Sequence, residues 1–142
     1  MKKILELILS IPWRIREGVF LLYFVLLTWM SLAPADTVNK YSFHFPYADK
    51  VIHFLVYGGL VLCARFAFPD PRHLRIKLWI VPLLALIYGA LLDLLQGVLV
   101  RFHRSFEWSD IGANALGAIF FWYLASALLQ DRTQDGGGKP PR

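Results

Sequence analysis

Residues 48–60 read ADKVIHFLVYGGL, an apolar run that begins with a pair of opposite charges. Lys50, His53 and Tyr57 share one face of a helix here through i+3 and i+4 spacing. Ionisable side chains are rare inside membrane helices, where they face the interior of the bundle or a water-filled cavity. The stretch therefore predicts a membrane-inserted helix whose first turns present polar groups to a shared site.

The composition excludes several classes of protein. Apolar residues make up 57% of the 142 residues and are gathered in long runs, and the mean hydropathy is +0.50. Those values are typical of a membrane protein with a single domain. The net charge of +5 comes from short Lys and Arg clusters between the runs, without interleaved aromatic residues. We therefore expect no nucleic-acid partner, and the lone Cys63 forms no internal disulfide.

Four apolar segments approach the length of about 20 residues that a helix needs to cross a membrane. The predicted fold class is all-α, a polytopic membrane protein with four transmembrane helices in a domain at 18–130. An interfacial amphipathic helix is expected at 1–17, where Ile and Leu recur at helical spacing. The polar, glycine-rich segment 131–142 is expected to be a disordered tail. The four predicted spans are 18–33, 51–68, 78–100 and 109–129.

The positions of the basic residues predict the direction of the four spans. Eleven lie on one side of the spans and four on the other, so both termini are predicted to be cytoplasmic in a bacterial inner membrane. Arg65 is counted with the larger group because its side chain can snorkel to that surface. An alternative is signal-peptide cleavage at the Ala33-Pro34-Ala35 pattern, which would leave three spans. The larger group comprises Lys2, Lys3, Arg14, Arg16, Arg65, Arg72, Arg75, Lys77, Arg132, Lys139 and Arg142.

Polar residues of three predicted helices lie at one depth. Asp93 is placed about 10 Å and Gln96 about 6 Å beneath the outer surface, one turn apart. Asp110 lies at the same boundary, and Asn114 is one turn inside it. A carboxylate at the centre of a membrane helix costs roughly 2.5–3.5 kcal/mol, so it normally finds a partner in the bundle interior. We predict a polar site within the outer layer of the membrane.

Three fragments at the ends of these helices resemble a known family. They read DKVIHFLVYGGL at 49–60, LIYGALLDLLQ at 86–96 and RSFEWSDIGANALG at 104–117. Together they are similar to the VanZ-like family of small bacterial integral membrane proteins. The family is named after a protein associated with low-level resistance to the glycopeptide teicoplanin. The resemblance implies four membrane helices and a link to the cell envelope and to glycopeptide tolerance.

The family pattern matches this chain at most of its polar positions. One departure is Asp93, which stands where the family usually carries glutamate and is therefore one methylene shorter in reach. Gln96 follows that acid, as in the family. The matching positions are Asp49, Lys50, His53, Tyr57, Gln96, Arg104, Asp110, Asn114 and Gly117.

The leading functional hypothesis is an enzyme acting on a lipid head group or a lipid-linked cell-envelope precursor at the outer leaflet. His53 is the expected general base or nucleophile, because imidazole is the side chain that most often transfers protons in enzymes. Asp93 or Asp110 is expected to orient the imidazole, and the sequence leaves open which one. Arg suits bidentate contact with phosphate. The expected substrate-binding residues are Lys50, Tyr57, Gln96, Arg101, Arg104 and Asn114.

Two other hypotheses use the same residues. One is a non-catalytic module that binds a lipid head group or an envelope intermediate. The other is a structural protein whose polar layer fixes helix packing. A metal site of His53 with Asp93 and Asp110 is a weak signature, so no metal and no other cofactor is predicted. The expected partner is a membrane lipid or a lipid-linked precursor, and the sequence identifies no protein partner.

Overall fold

A computed structural model of the chain describes residues 2–33, 47–68, 79–98 and 107–135. All regular structure in these ranges is helical, which confirms the predicted all-α class. There are five helices in this part of the chain: α1 Lys2–Ser10, α2 Trp13–Ser31, α3 Ala48–Ala67, α4 Ile80–Val98 and α5 Trp108–Asp135.

The helix α3 lies at the centre of the bundle and packs against α2, α4 and α5. Its buried residues Tyr57, Leu60 and Val61 form a core with Leu27 of α2, Ala85 of α4 and Ala118 of α5. This position suits α3, because the helix carries small and apolar residues on several faces.

Contacts between side chains fix the relative directions of the helices. Phe20 of α2 packs edge-on against Phe68 at the end of α3, and Tyr23 donates a hydrogen bond of 2.8 Å to the Val56 carbonyl. These pairings run in opposite order along the chain, so α2 and α3 are antiparallel. The helix α5 is parallel to α3, because the register advances from Lys50–Asp110 to Phe54–Phe121.

The helices α3 and α5 form the most extensive pair in the bundle, and Gly117 makes this possible. A Cβ atom at Gly117 would overlap the backbone carbonyl of Phe54. A backbone cannot yield as a flexible side chain can, so this position requires glycine. Gly117 therefore lets the backbones of α3 and α5 approach closely.

Two boundaries differ from the sequence prediction. Residues 13–17 belong to α2 rather than to the N-terminal amphipathic helix, because Pro12 separates α1 from α2. Proline lacks a backbone N–H but tolerates the position before a helix, where Pro12 has a φ of −51°. At the other end, α5 continues to Asp135, so the prediction of disorder is wrong for 131–135. Helix-compatible residues continue up to the glycine run at 136–138, which favours a helix end there.

Two of the described helices are long and apolar enough to cross a membrane, Ala48–Ala67 and Trp108–Leu129. The apolar part of α4, Ile80–Leu95, is shorter. Large apolar side chains are exposed along all four helices α2 to α5. Apolar surface this extensive is unusual for a soluble monomer and marks a membrane or protein contact.

We predict that Gly117→Ala destabilises the pair of α3 and α5. The added methyl group would have to displace the Phe54 backbone, and overpacking of this kind costs about 1–3 kcal/mol. The measurement is the free energy of unfolding of the purified protein in detergent.

The matched control is Gly112→Ala in the same helix, where a Cβ atom would have nothing within 4 Å. There the gain in helix propensity should leave stability unchanged or raise it by up to about 1 kcal/mol. Equal effects of the two substitutions would contradict the close approach at Gly117.

Candidate functional site

The site lies where the first turns of α3 and α5 stand side by side. Because these helices are parallel, their N-termini meet at one end of the bundle, and each carries roughly half a positive charge. Asp49 in the first turn of α3 and Asp110 in the first turn of α5 face this positive end. The helix α4 runs antiparallel to α3 and brings Asp93 to the same level, within hydrogen-bonding distance of Asn114 in α5.

Lys50 joins the two helices through ion pairs. Its ammonium nitrogen lies 2.7 Å from Oε2 of Glu107 and 2.7 Å from Oδ2 of Asp49, and it also contacts Oδ1 of Asp110. An ammonium has three N–H donors, so these three carboxylates account for all of them. Lys50 is therefore a clamp between α3 and α5 in this structure.

Asn114 connects α3, α4 and α5 beneath this clamp. Its side chain is only 1% exposed, and its amide nitrogen donates to Oδ2 of Asp93 at 3.3 Å. Its carbonyl oxygen lies 3.0 Å from Nδ1 of His53. A carboxylate accepts hydrogen bonds, so the amide N–H₂ points toward Asp93 and the carbonyl oxygen toward the imidazole.

This orientation of Asn114 determines the tautomer of His53. A carbonyl oxygen can only accept, so Nδ1 of His53 must carry the proton of that hydrogen bond. In a neutral imidazole the other nitrogen, Nε2, then holds the free lone pair. Nε2 lies 3.9 Å from Oδ2 of Asp110, which is beyond hydrogen-bonding distance. The basic nitrogen of the site is therefore Nε2.

A cavity of about 350 Å³ opens beside His53 between α2 and α3. His53, Asp93 and Ser31 supply its polar lining, and the His53 side chain is 26% exposed. The rest is mostly apolar, so the cavity suits a molecule with a polar group and an apolar chain. Its other lining residues are Tyr23, Leu26, Leu27, Met30, Ile52, Val56 and Tyr57.

Tyr57 forms the floor of the site. Its ring is nearly parallel to that of His53, with an interplanar angle of 4° and centroids 6.3 Å apart. The side chain is 3% exposed. Gly89 of α4 gives it room, because a Cβ atom there would lie 2.7 Å from the Tyr57 ring and 3.1 Å from the Asn114 amide nitrogen.

The structure brings together most of the residues that the sequence singles out. Arg101 and Arg104 lie outside the described residues, as does the side chain of Gln96. Neither predicted carboxylate hydrogen-bonds His53 directly, because Asn114 stands between it and Asp93, and Asp110 is too distant. The residues that meet are Lys50, His53, Tyr57, Asp93, Asp110 and Asn114.

Sequence reasoning missed Glu107 as a member of the site. Its carboxylate is exposed and accepts from Lys50 and, at 3.2 Å, from the Ser109 hydroxyl. Those hydrogen bonds, with Lys50 first, lower the pKa of Glu107. A pKa below its unfolded value means that the contact stabilises the fold above the unfolded pKa and is lost as the pH falls through the folded one. The available signal was the acidic i, i+3 pair of Glu107 and Asp110.

Among the described side chains, three carboxylates are close enough to share a cation. One oxygen each from Asp49, Glu107 and Asp110 lies within 4.8 Å of the others. Such a set suits a hard ion such as Ca²⁺. Here the Lys50 ammonium bonds to all three, so the cluster has its counter-charge within the protein.

Comparisons of the chain with known protein families, with curated proteins and with solved structures gave no match.

We predict that Lys50→Met destabilises the protein through repulsion among the three carboxylates. A double-mutant cycle with Asp110→Asn should give a coupling of about 1–2 kcal/mol, because both side chains are largely buried. The measurement is the free energy of unfolding at low and high salt.

The control is the same cycle with Glu107→Gln. Glu107 is more exposed, so its coupling to Lys50 should be smaller and should fall further in high salt. Equal couplings for the two acids would show that Lys50 does not favour its buried partner.

We predict that Asn114→Ala is strongly destabilising, by about 2–4 kcal/mol, since it removes hydrogen bonds from the buried Asp93 and the partly buried His53. Unfolding of the purified variant measures this, with Ser109→Ala as the control. Ser109 is exposed and its hydroxyl donates a hydrogen bond to the exposed Glu107, so its loss should change stability little. A loss for Asn114→Ala no larger than that for Ser109→Ala would contradict the bridging role.

Proposed function

We propose that this chain is an integral membrane protein with four transmembrane helices, α2 to α5, and with both termini cytoplasmic. The alternating directions of α2, α3 and α4 and the parallel pair of α3 and α5 support this, since successive crossings of a membrane alternate. The exposed apolar side chains of α2 and α4 support two crossings beyond Ala48–Ala67 and Trp108–Leu129. The excess of basic residues on one side supports the direction.

We further propose that the site binds an amphiphile, a membrane lipid or a lipid-linked envelope precursor, and acts on its head group. The observation that carries this is the chain of hydrogen bonds from Asp93 through Asn114 to His53. It ends at a basic nitrogen beside a cavity that is polar near His53 and apolar elsewhere. The cavity opens between two helices, where a lipid could enter sideways from the membrane.

In this proposal, Nε2 of His53 is the reactive atom. As general base, it accepts the proton of a water or hydroxyl group that attacks the phosphorus; the bond from phosphorus to the leaving oxygen breaks, and that oxygen takes up the proton from the imidazolium. As nucleophile, it attacks the phosphorus itself and displaces the same oxygen, and water then hydrolyses the bond between phosphorus and nitrogen. Asn114 holds the ring in the required tautomer, and Asp93 holds Asn114. Asp110, 3.9 Å away, stabilises the imidazolium once the proton has arrived. The two aspartates therefore have different roles in this proposal.

The phosphate of such a substrate needs a cation. Lys50 already contacts three carboxylates, so it can hold a phosphate only by exchanging one of them. The proposal therefore gives the main phosphate contacts to Arg101 and Arg104, which follow α4 in the sequence. The VanZ-like resemblance and a link to glycopeptide tolerance remain part of this proposal and rest on the sequence motifs.

A second candidate function is a binding module without catalysis. It is favoured by the internal pairing of the described polar groups, where Lys50 and Asn114 both bond to protein partners. Such a network can fix helix packing and shape a pocket without any reaction. The two candidates differ in what they require of His53, since only an enzyme needs its lone pair.

We predict that overproduction of the native protein changes the amount of a phospholipid or lipid-linked precursor, and that His53→Gln abolishes the change. The glutamine amide can still donate to Asn114 but has no basic nitrogen. Lipid extracts of both strains would be compared by mass spectrometry, with membrane abundance matched by blot.

Ser109→Ala is the matched control and should behave as the native protein. A lipid change that persists in His53→Gln at equal abundance would rule out His53 as the base and favour the binding module. A loss of folded protein in proportion to the loss of lipid change would instead favour a structural role.

A further inference from the structure

A second polar site lies at the other end of α3. Arg65, in the last turn of that helix, is 3% exposed, and its Nε and Nη1 atoms are buried without a hydrogen-bond partner. The expectation that this side chain snorkels to the surface is therefore wrong. The protein covers the guanidinium rather than leaving it to water.

Arg16 of α2 lies at the same end of the bundle. Its Nη1 donates a hydrogen bond of 2.9 Å to the carbonyl oxygen of Phe66, next to Arg65 in the chain. Its Nε is also buried and without a partner. Two guanidinium groups, one from α2 and one from α3, thus lie at this end of the bundle with three nitrogen atoms that have no hydrogen-bond partner.

The charge of this region is not balanced within the described residues. No carboxylate among them forms an ion pair with Arg16 or Arg65. The C-terminal end of α3 contributes only about half a negative charge, against two full positive charges. Water could satisfy the N–H groups but not the charge, and a buried unpaired charge costs several kcal/mol. The region therefore favours an anion.

An apolar cavity of about 510 Å³ lies between α2, α3 and α4 and begins at the same end of α3 as the two arginines, which do not themselves line it. Ala64 and Phe68, which flank Arg65 on α3, line it, as does Phe20, one turn from Arg16. Its remaining lining is aliphatic or aromatic, so it suits a hydrocarbon chain. Two cationic groups at the end of an apolar cavity suit one kind of molecule, an anionic lipid.

We propose that Arg16 and Arg65 bind the phosphate of an anionic phospholipid whose acyl chain lies in this cavity. Planar guanidinium groups match phosphate oxygens in bidentate geometry. The site is separate from the one around His53, because twelve residues of α3 between His53 and Arg65 span about 18 Å. It does not depend on the proposed catalytic function.

The test is thermal unfolding of the full chain in neutral detergent with three added probes. These are a short-chain phosphatidylglycerol, the corresponding diacylglycerol without phosphate, and inorganic phosphate. For the native protein, Tm should rise with the phosphatidylglycerol and remain unchanged with the diacylglycerol. Arg65→Met should weaken the response to the phosphatidylglycerol by about tenfold or more in concentration.

Arg14→Met is the matched control, because Arg14 is an exposed arginine on α2 that lies over the Trp13 ring. It should respond as the native protein does. Arg65→Met should fold, since exchanging a buried unpaired charge for an apolar side chain is often neutral or stabilising. Arg16→Met provides a second variant with the same expected loss.

Equal responses of the native protein and both methionine variants, or no response to the phosphatidylglycerol at all, would overturn the site. A response to inorganic phosphate as large as that to the lipid would overturn the lipid assignment and leave a site for the free anion. A response to diacylglycerol equal to that to phosphatidylglycerol would show that the arginines do not bind the phosphate, and would also overturn the site.

Discussion

The buried amide of Asn114 is the interaction on which the arrangement of the bundle depends. It is bonded on one side to α4 through Asp93 and on the other to α3 through His53, while its own backbone belongs to α5. An amide has a donor end and an acceptor end, so it cannot be reversed without breaking both bonds. Three helices are therefore held in one register, and the tautomer of His53 follows from that register. In a medium of low dielectric constant, such a network is costly to disturb.

The polar groups are graded along the start of α3 and α5. The carboxylate of Glu107 is in water, Asp110 is mostly covered, and Asn114 is fully buried. Full charges thus lie at the edge of the bundle, where water and ions screen them and their free-energy cost is small. A neutral amide lies inside, where a charge would need a partner. Asp93 is the exception, and Asn114 supplies one of its contacts. This gradient fits the membrane boundary proposed for this end of the bundle.

The sequence was sufficient for the all-helical class and for the grouping of Lys50, His53, Asp93 and Asn114 at one level of the bundle. Both follow from regular helix geometry, in which spacing along the chain determines face and height. The pairings between helices could not be predicted in the same way. Whether His53 meets Asp93 or Asn114 depends on helix rotation, and that rotation is set by the close approach at Gly117. Glu107 was missed because the predicted helix began two residues beyond it.

The ends of the helices show a similar limit. The break at Pro12 is a local steric effect, yet the prediction assigned 13–17 by charge and hydropathy rather than by the proline. The burial of Arg65 is harder to predict from the sequence, because a basic residue near a helix end normally extends to water. The packing of neighbouring helices around the last turns of α3 covers this side chain. Packing between helices therefore buries a side chain that its position near a helix end predicts to be exposed.

The close contact between α3 and α5 also makes this pair more rigid than the attachment of α2 to α3. With a backbone carbonyl pressed against Gly117 and Lys50 bonded across the two helices, this pair has little freedom to slide or separate. The helix α2 is attached to α3 more lightly, with the hydrogen bond from Tyr23 to Val56 beside the His53 cavity. Tilting of α2 away from α3 is consequently the softest motion available to the site. The rate at which molecules exchange with the cavity then depends on α2, although the acidic and basic side chains that line the cavity belong to α3 and α4.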